Sequence, residues 1–145
     1  MNFDNFTIKS QEAIQEAVKL TQQNGQQAIE PVHLMAGLLK IGENVTNFIF
    51  QKLGINGQQI QSVVDRQIQS LPKTTGGEPY LSRESNNVLQ KAMDYSKIMG
   101  DEFVSLEDIL LALLNVNSTV STVLKDAGMT ENELKTAINE LRKGE

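Results

Sequence analysis

The 145-residue sequence has no cysteine, no tryptophan and a single histidine. Without cysteine, the chain has no disulfide, no thiolate metal site and no cysteine nucleophile, which suits a reducing compartment. Aromatic residues make up only 5% of the sequence. The core therefore has to be built mainly from leucine, isoleucine, valine, methionine and alanine.

A long apolar run is also missing. No stretch approaches the roughly 20 apolar residues of a membrane-spanning helix, and the polar start MNFDNFTIKS is unlike a signal peptide. The net charge is −5, and the lysines and arginines form no patch that could neutralise phosphates. We therefore expect a cytoplasmic protein that contacts neither nucleic acid nor membrane.

What the sequence does contain is a repeat. The stretches IEPVHLMAGLL at 29–39 and VSLEDILLALL at 104–114 place their apolar residues in the same order. The agreement continues along the chain at an offset of 75 residues, and of 74 beyond the second stretch, and it includes the pair Gly25 and Gly100. So many matched positions favour an internal duplication.

Each copy of the repeat predicts about four short helices. Thr7 and Ser82 are suitable N-cap residues for the first helix of each copy. Gly25 and Gly100 suit the left-handed residue that ends it, and Pro31 suits the first position of the second helix. No segment alternates with the period of two that a half-buried strand requires.

The start of the second helix bears on catalysis. Ser105 and Asp108 resemble a capping box in copy two, and His33 occupies the position of Asp108 in copy one. A reactive histidine would rarely be duplicated into an aspartate, so His33 favours a capping, surface or packing role over the alternative, a small hydrolase built around it. The sequence also has no metal-binding or phosphate-binding motif. We expect no catalytic residue, no metal ligand and no enzyme activity in this chain.

These patterns predict an all-α fold of about eight helices, arranged as two pseudo-twofold-related four-helix repeats that pack as one domain over 1–145. Repeat one covers 1–71, a linker with two prolines and two glycines covers 72–80, and repeat two covers 81–145. A repeat of about 70 residues would have a marginal core alone. The repeats should therefore pack together and leave a groove at their junction.

Two acidic residues near the start of the sixth helix have two interpretations. Asp101 is either a turn residue or a polar anchor for a bound polypeptide. Glu107 is either a first-turn acid that the helix dipole favours or a second anchor. The remaining acids, including those from Glu131 to Glu145, are scattered and predict a solvated face.

The duplicated stretches, the FT near the start and the LP at 71–72 resemble the Clp N-terminal domain family, and the IEPxHLM form is typical of its disaggregase chaperones. The resemblance covers 3–144. It implies a substrate-recognition domain of an ATP-dependent disaggregase or unfoldase, which binds exposed apolar segments of misfolded or aggregated proteins. The alternatives are a docking domain for adaptor proteins, as in the protease-associated ATPases of the family, and a structural spacer.

The resemblance also implies the site residues. It assigns substrate binding to Thr7, Asp101 and Glu107, and it places Tyr95 in the apolar lining of the groove. The sequence departs from its relatives at Lys91 and at the aspartate of the capping box, where leucine is frequent, so the implied groove is less apolar. The methylene stem of Lys91 would still cover apolar surface.

Finally, the resemblance implies that the chain is a fragment. The AAA+ modules that use ATP and magnesium would follow Glu145, so no cofactor is expected here. The full-length protein would be a homohexamer and the isolated domain a monomer. The charged end LRKGE at 141–145 suits a flexible tether.

Overall fold

Eight helices and two very short strands form residues 2–144, the part of the chain that the computed structural model describes; Met1 and Glu145, the ends of the predicted domain, lie outside it. The elements of repeat one are α1 (Ile8–Gln23), β1 (Ala28–Ile29), α2 (Pro31–Ile41), α3 (Glu43–Leu53) and α4 (Gly57–Ser70). Those that follow are β2 (Tyr80–Leu81), α5 (Arg83–Ile98), α6 (Leu106–Asn115), α7 (Thr119–Asp126) and α8 (Glu131–Lys143). The predicted all-α class, with two four-helix repeats packed as one domain, is confirmed. The exact boundaries of the repeats stay predictions.

The predicted helix ends are confirmed. The hydroxyl oxygens of Thr7 and Ser82 each accept the backbone N–H three residues further on, at 3.0 and 3.1 Å. Pro31 occupies the first turn of α2. Gly25 and Gly100 have φ values of 66° and 74°, in the left-handed region that glycine adopts without a steric penalty. Local sequence therefore determines where these helices begin and end.

Helices α2 and α6 form the centre of the molecule. Nearly every residue of both helices is buried, as expected for helices that are apolar on all sides. Helix α2 packs against α1 and α4 of its own repeat and against α6 and α7 of the other. In the described part of the chain, none of the helices is long and apolar enough to cross a membrane.

Gly37 sets the close approach of α1 and α2. A Cβ atom at this position would overlap the carbonyl oxygen of Ala13 in the neighbouring helix. The absence of a side chain therefore brings the two helix backbones into direct contact, and this contact fixes the position of the N-terminal helix on the core.

The sequence predicted no strand, whereas the structure has two strands of two residues each. β1 and β2 pair in parallel, with Ile29 opposite Leu81. Tyr80, which the sequence assigned to the linker, lies in β2. An isolated parallel bridge between Phe6 and Val104 is the equivalent pairing at the other junction. Elements this short carry no alternating pattern, which is why the sequence did not reveal them.

The pairing at Val104 joins the start of repeat one to repeat two. The Val104 carbonyl oxygen accepts the backbone N–H of Thr7 at 2.9 Å. It also accepts the buried hydroxyl of Ser10 at 2.9 Å. Two donors from α1 and its cap therefore converge on a single carbonyl of the opposite repeat.

The pairing at Ile29 is equivalent, but the roles of the two repeats are exchanged: repeat one supplies the acceptor and repeat two supplies the donors. The Ile29 carbonyl oxygen accepts the backbone N–H of Ser82 at 3.1 Å and the hydroxyl of Ser85 at 2.7 Å. We call the two arrangements the junction bridges: Thr7 and Ser10 with Val104, and Ser82 and Ser85 with Ile29. Each repeat therefore supplies one acceptor and one pair of donors.

The junction bridges predict the cost of losing either hydroxyl. Replacing Ser10 or Ser85 by alanine should lower the free energy of unfolding by about 1 kcal/mol, because a buried hydrogen bond between the repeats is lost. Urea unfolding of each variant measures the change. Ser70→Ala, which removes an exposed hydroxyl at the end of α4, is the matched control and should stay within about 0.5 kcal/mol of the wild type. Equal effects at all three positions would contradict the role of the bridges.

Candidate binding site

Thr7 is held at the first junction bridge. Its hydroxyl oxygen caps α1 by accepting the Ser10 N–H, and its hydroxyl hydrogen is donated to the Ser10 oxygen at 2.9 Å. Its backbone N–H donates to the carbonyl oxygen of Val104. The predicted capping role of Thr7 is therefore confirmed, and the side chain lies beside the loop that connects α5 and α6.

Asp101 and Glu107 share one cation. Arg142, in the last turn of α8, makes two parallel hydrogen bonds to the Asp101 carboxylate at 2.8 and 2.9 Å. Its Nε donates to Glu107 Oε2 at 3.1 Å, and Nη2 donates to Ser105 Oγ at 3.2 Å. The arginine fork matches the planar carboxylate, so the Asp101 pair combines charge with fixed geometry.

The sequence analysis did not identify Arg142 as part of the site. The charged end of the chain was expected to be a flexible tether, but α8 continues to Lys143, and Arg142 joins it to the loop at 101–105. A cation in the last turn of a helix is a weak local signal, because it also interacts favourably with the helix dipole. Nothing near Arg142 in the sequence indicates acidic partners that lie 35 and 41 residues away.

The structure brings three of the four predicted site residues to one loop. Thr7 contacts the loop through Val104. Arg142 joins Asp101, at the start of the loop, to Glu107, in the first turn of α6 just after it. We call residues 101–105 the site loop. The grouping of Thr7, Asp101 and Glu107 implied by the family resemblance therefore has a geometric basis, although their role in binding stays a prediction.

The expected place of Tyr95 in the lining of an accessible groove is wrong, whereas its role in substrate binding stays a prediction. Its side chain is only 4% exposed, so it does not line an accessible surface. Its hydroxyl donates to Glu131 at 3.0 Å and accepts from Asn115 at 2.8 Å. Lys91 and Lys135 each place Nζ 5.8 Å from the ring centroid. Burial and the hydrogen bond to Glu131 raise the pKa of Tyr95 to about 12, and the ring belongs to the interior of repeat two.

Asp108 is the departure from leucine that was expected to make the implied groove less apolar, but it does not lie on an accessible surface. The side chain is fully buried. Its Oδ2 accepts the backbone N–H of Ser105 at 3.0 Å in the predicted capping box. Its other oxygen, Oδ1, has no hydrogen-bond donor among the described residues. Burial and, to a smaller extent, the neighbouring Asp101 carboxylate raise the pKa of Asp108 to about 7.

His33 has the corresponding place in repeat one, and its predicted capping role is confirmed. Its Nδ1 accepts the backbone N–H of Glu30 at 2.9 Å. Nε2 therefore carries the hydrogen and donates to Gln26 Oε1 at 2.7 Å. Burial lowers the pKa of His33 to about 4, so the ring is neutral at pH 7. An imidazole committed to these two bonds is not available as a general base.

Large apolar side chains are exposed around the site loop, and the sequence analysis did not single them out. Phe103 lies in the loop and is 47% exposed, and Ile8, which follows Thr7, is 75% exposed. Ile98, at the end of α5, is 65% exposed. Ile8 and Ile98 lie off the buried stripes of their helices, and this offset is the signal that could have identified them.

The predicted groove between the repeats has a different character. A hollow of about 470 Å³ lies between α4 and α7, where Val63 and Val123 meet rim residues such as Gln59 and Asp126. It does not include any of the predicted site residues. Among the described residues, no cluster of histidine and carboxylate side chains is suited to holding a metal ion.

Comparison with known proteins identifies the family. The model of the Clp repeat (R) N-terminal domain matches residues 5–127. The ClpB chaperone of Bacteroides thetaiotaomicron is 78% identical over 145 residues, and that of Porphyromonas gingivalis is 55% identical over 144 residues. These matches cover 100% and 99% of this chain and 17% of each relative, so the chain spans a small part of the curated relatives. The resemblance inferred from the sequence is confirmed.

Solved structures share the fold. The Hsp104 N-terminal domain of Candida albicans superposes with a TM-score of 0.83 at 24% identity, covering 98% of this chain and 94% of that one. A ClpV N-domain in complex with a VipB peptide gives a TM-score of 0.76 at 17% identity, covering 92% and 84%. At these identities the likeness concerns the fold.

The burial of Asp108 predicts a pH-dependent stability. The folded state retains the Asp108 proton up to about pH 7, whereas the unfolded chain loses it near pH 4. The stabilisation from this group is therefore complete below about pH 4 and is lost as the pH rises to 7. Asp108→Asn mimics the protonated form, so its free energy of unfolding relative to wild type should increase by about 4 kcal/mol between pH 4 and pH 8. Urea unfolding at both pH values measures the difference. Asp126→Asn, at an exposed position, is the control.

A difference between Asp108→Asn and wild type that does not change with pH would show that the pKa of Asp108 is not raised in the folded state.

His33 predicts a dependence of the opposite sign. The unfolded imidazole takes up a proton near pH 6.5, but the folded state excludes it until about pH 4. Stability should therefore fall as the pH decreases from 6.5 to 4. Glutamine retains an acceptor for the capping box and does not titrate, so the stability of His33→Gln relative to wild type should rise by about 3 kcal/mol from pH 7.5 to pH 4. Thermal unfolding across this range measures the difference in stability. A constant difference would show that folding does not lower the pKa of His33 and would contradict the prediction.

Proposed function

Because the chain belongs to the Clp repeat (R) N-terminal domain family, we propose that it is the client-recognition domain of an ATP-dependent protein disaggregase. The client is a misfolded or aggregated protein that exposes apolar segments. The observation that carries the proposal is the set of exposed apolar side chains around the site loop, in a chain 78% identical to the corresponding region of a ClpB chaperone.

The client surface is centred on the site loop. Phe103 presents an aromatic face from the loop, and Ile8 and Ile98 add exposed apolar surface at the start of α1 and the end of α5. Aromatic rings contribute a large buried area at a small entropic cost. Because apolar contact is not directional, such a surface tolerates many client sequences.

The expected affinity is low. Burial of about 300 Å² of apolar surface at ~25 cal/mol per Å² gives a gross gain of about 7 kcal/mol. Ordering of the client and the loss of rigid-body freedom offset much of this gain, which leaves an affinity between micromolar and millimolar. Weak binding suits a domain that hands its client to another part of the machine, and several domains in one hexamer would increase retention through effective concentration.

The chemistry of ATP hydrolysis belongs to other modules in this proposal. His33 is buried in a capping box, and the carboxylates of Asp101 and Glu107 are paired with Arg142. The domain therefore binds and does not catalyse, and it needs no cofactor of its own. The AAA+ modules that use ATP and magnesium lie in the remainder of the full-length protein, which forms the hexamer.

Docking of a defined partner is the second candidate. The ClpV N-domain, which shares this fold, forms a complex with a VipB peptide. A docking domain would select one partner sequence, whereas a client-recognition domain would respond to the unfolded state of many proteins. The two functions therefore differ in their response to unfolded and folded forms of the same polypeptide.

The proposal predicts selective binding of unfolded chains. Titration with reduced, carboxymethylated lactalbumin should shift the NMR signals of the site loop, whereas native lactalbumin should not. Phe103→Ser should weaken this binding by about fivefold, because it removes an aromatic ring of which only the exposed part can contact the client. The dissociation constant from the titration measures the effect.

Tyr80→Ser is the matched control for this experiment. Tyr80 is a similarly exposed aromatic residue at the other junction bridge, so its loss should leave the affinity unchanged. Equal, negligible shifts with the unfolded and the native protein would overturn client recognition. Binding of a folded adaptor with no response to the unfolded chain would favour docking.

A further inference from the structure

Asp101 and Glu107 are already occupied in the free protein. The guanidinium group of Arg142 uses four of its five N–H donors on Asp101, Glu107 and Ser105. Both carboxylates are mostly shielded, with side-chain exposures of 17% and 12%. A client approaching these acids therefore meets an ion pair and not two free acceptors.

Displacement of Arg142 by a client backbone is unfavourable. Hydrogen bonds between ionised groups are roughly twice as strong as those between neutral groups. A neutral backbone N–H offered by an extended polypeptide would replace a bidentate, charge-assisted pair by a single weaker bond. The arrangement therefore argues against direct contact of Asp101 and Glu107 with the client.

Repeat one contains the neutral equivalent of this cluster. Gln26, at the position of Asp101 in the duplication, bonds to His33 at 2.7 Å. Its amide nitrogen also donates to the carbonyl oxygen of Ile68, in the last turn of α4, at 2.6 Å. Ile68 is in turn the position that corresponds to Arg142. In both repeats, one side chain joins the start of the second helix to the end of the fourth.

The ionic cluster of repeat two, formed by Arg142 and its acidic partners, lies beside the exposed apolar surface around the site loop. Arg142 contacts Asp101 and Ser105, the first and last residues of the site loop. Between them, Val104 is fixed by the junction bridge, and Phe103 projects into solvent. The end of α8 therefore holds both ends of the segment that presents Phe103.

We propose that Arg142 is a positioning residue of the client site, and that Asp101 and Glu107 act through it by holding the site loop and do not touch the client. This inference rests on the proposed function. It assigns a binding effect to the far end of α8, outside the residues 5–127 that the family model matches.

The test compares Arg142→Gln with Lys143→Gln, a neighbouring exposed lysine of the same helix turn. Arg142→Gln should weaken binding of carboxymethylated lactalbumin by about three- to tenfold, and Asp101→Asn should do the same. Arg142→Lys keeps the charge but loses the fork, so it should restore part of the affinity. Lys143→Gln should bind like the wild type. Melting temperatures of all variants establish that each protein is folded.

A double-mutant cycle separates positioning from general destabilisation. In a Phe103→Ser background, Arg142→Gln should have little further effect on affinity, because the side chain that it positions is gone. In the client-free protein, Arg142→Gln should also shift the amide signals of the site loop more than Lys143→Gln does.

Three outcomes overturn the inference and can be told apart. Tighter binding by Arg142→Gln would show that the acids contact the client once they are released, while client recognition itself would stand. Additive effects of Arg142→Gln and Phe103→Ser would likewise remove the positioning role. A wild-type protein that does not bind the unfolded chain would overturn the proposed function, and this inference with it.

Discussion

Each repeat holds a backbone carbonyl of the other, and the arrangement of the candidate site follows from this constraint. The oxygens of Ile29 and Val104 each accept one N–H and one buried hydroxyl from the opposite repeat. Buried backbone groups are costly when they are unpaired, so these contacts fix the register of the two halves. Val104 also lies in the site loop, and the same contact therefore places Thr7 and Phe103 on one side of the molecule.

Much of the fold could be predicted because its signals are local. Capping residues such as Thr7 and Ser82 act within one helical turn, and Gly25 and Gly100 act at a single dihedral angle. The junction bridges could not be predicted in this way. Their acceptors lie in the opposite repeat, and a pairing of one or two residues leaves no periodicity in the sequence.

The site was predicted only in part, for physical reasons that differ between residues. Thr7, Asp101 and Glu107 were grouped by family resemblance, and the structure shows how they meet. Tyr95 was expected in the lining of a groove because an apolar helical stripe does not distinguish a core position from a groove position. In the structure its hydroxyl forms hydrogen bonds with Glu131 and Asn115. Arg142 escaped notice because a long charged side chain near the end of a chain usually remains in solvent. The exposed isoleucines could have been found, since both lie off the buried stripe of their helix.

The reciprocal bridges have a consequence for how such a molecule could be assembled. A polypeptide carrying one repeat would present an unpaired carbonyl on one side and a matching serine and N–H on the other. Two identical copies would satisfy each other through a twofold axis, in the isologous manner of a symmetric dimer. The present chain is, in this sense, equivalent to a homodimer whose subunits are joined, and its two copies can differ, with a neutral glutamine in repeat one and an ionic cluster at the equivalent place in repeat two.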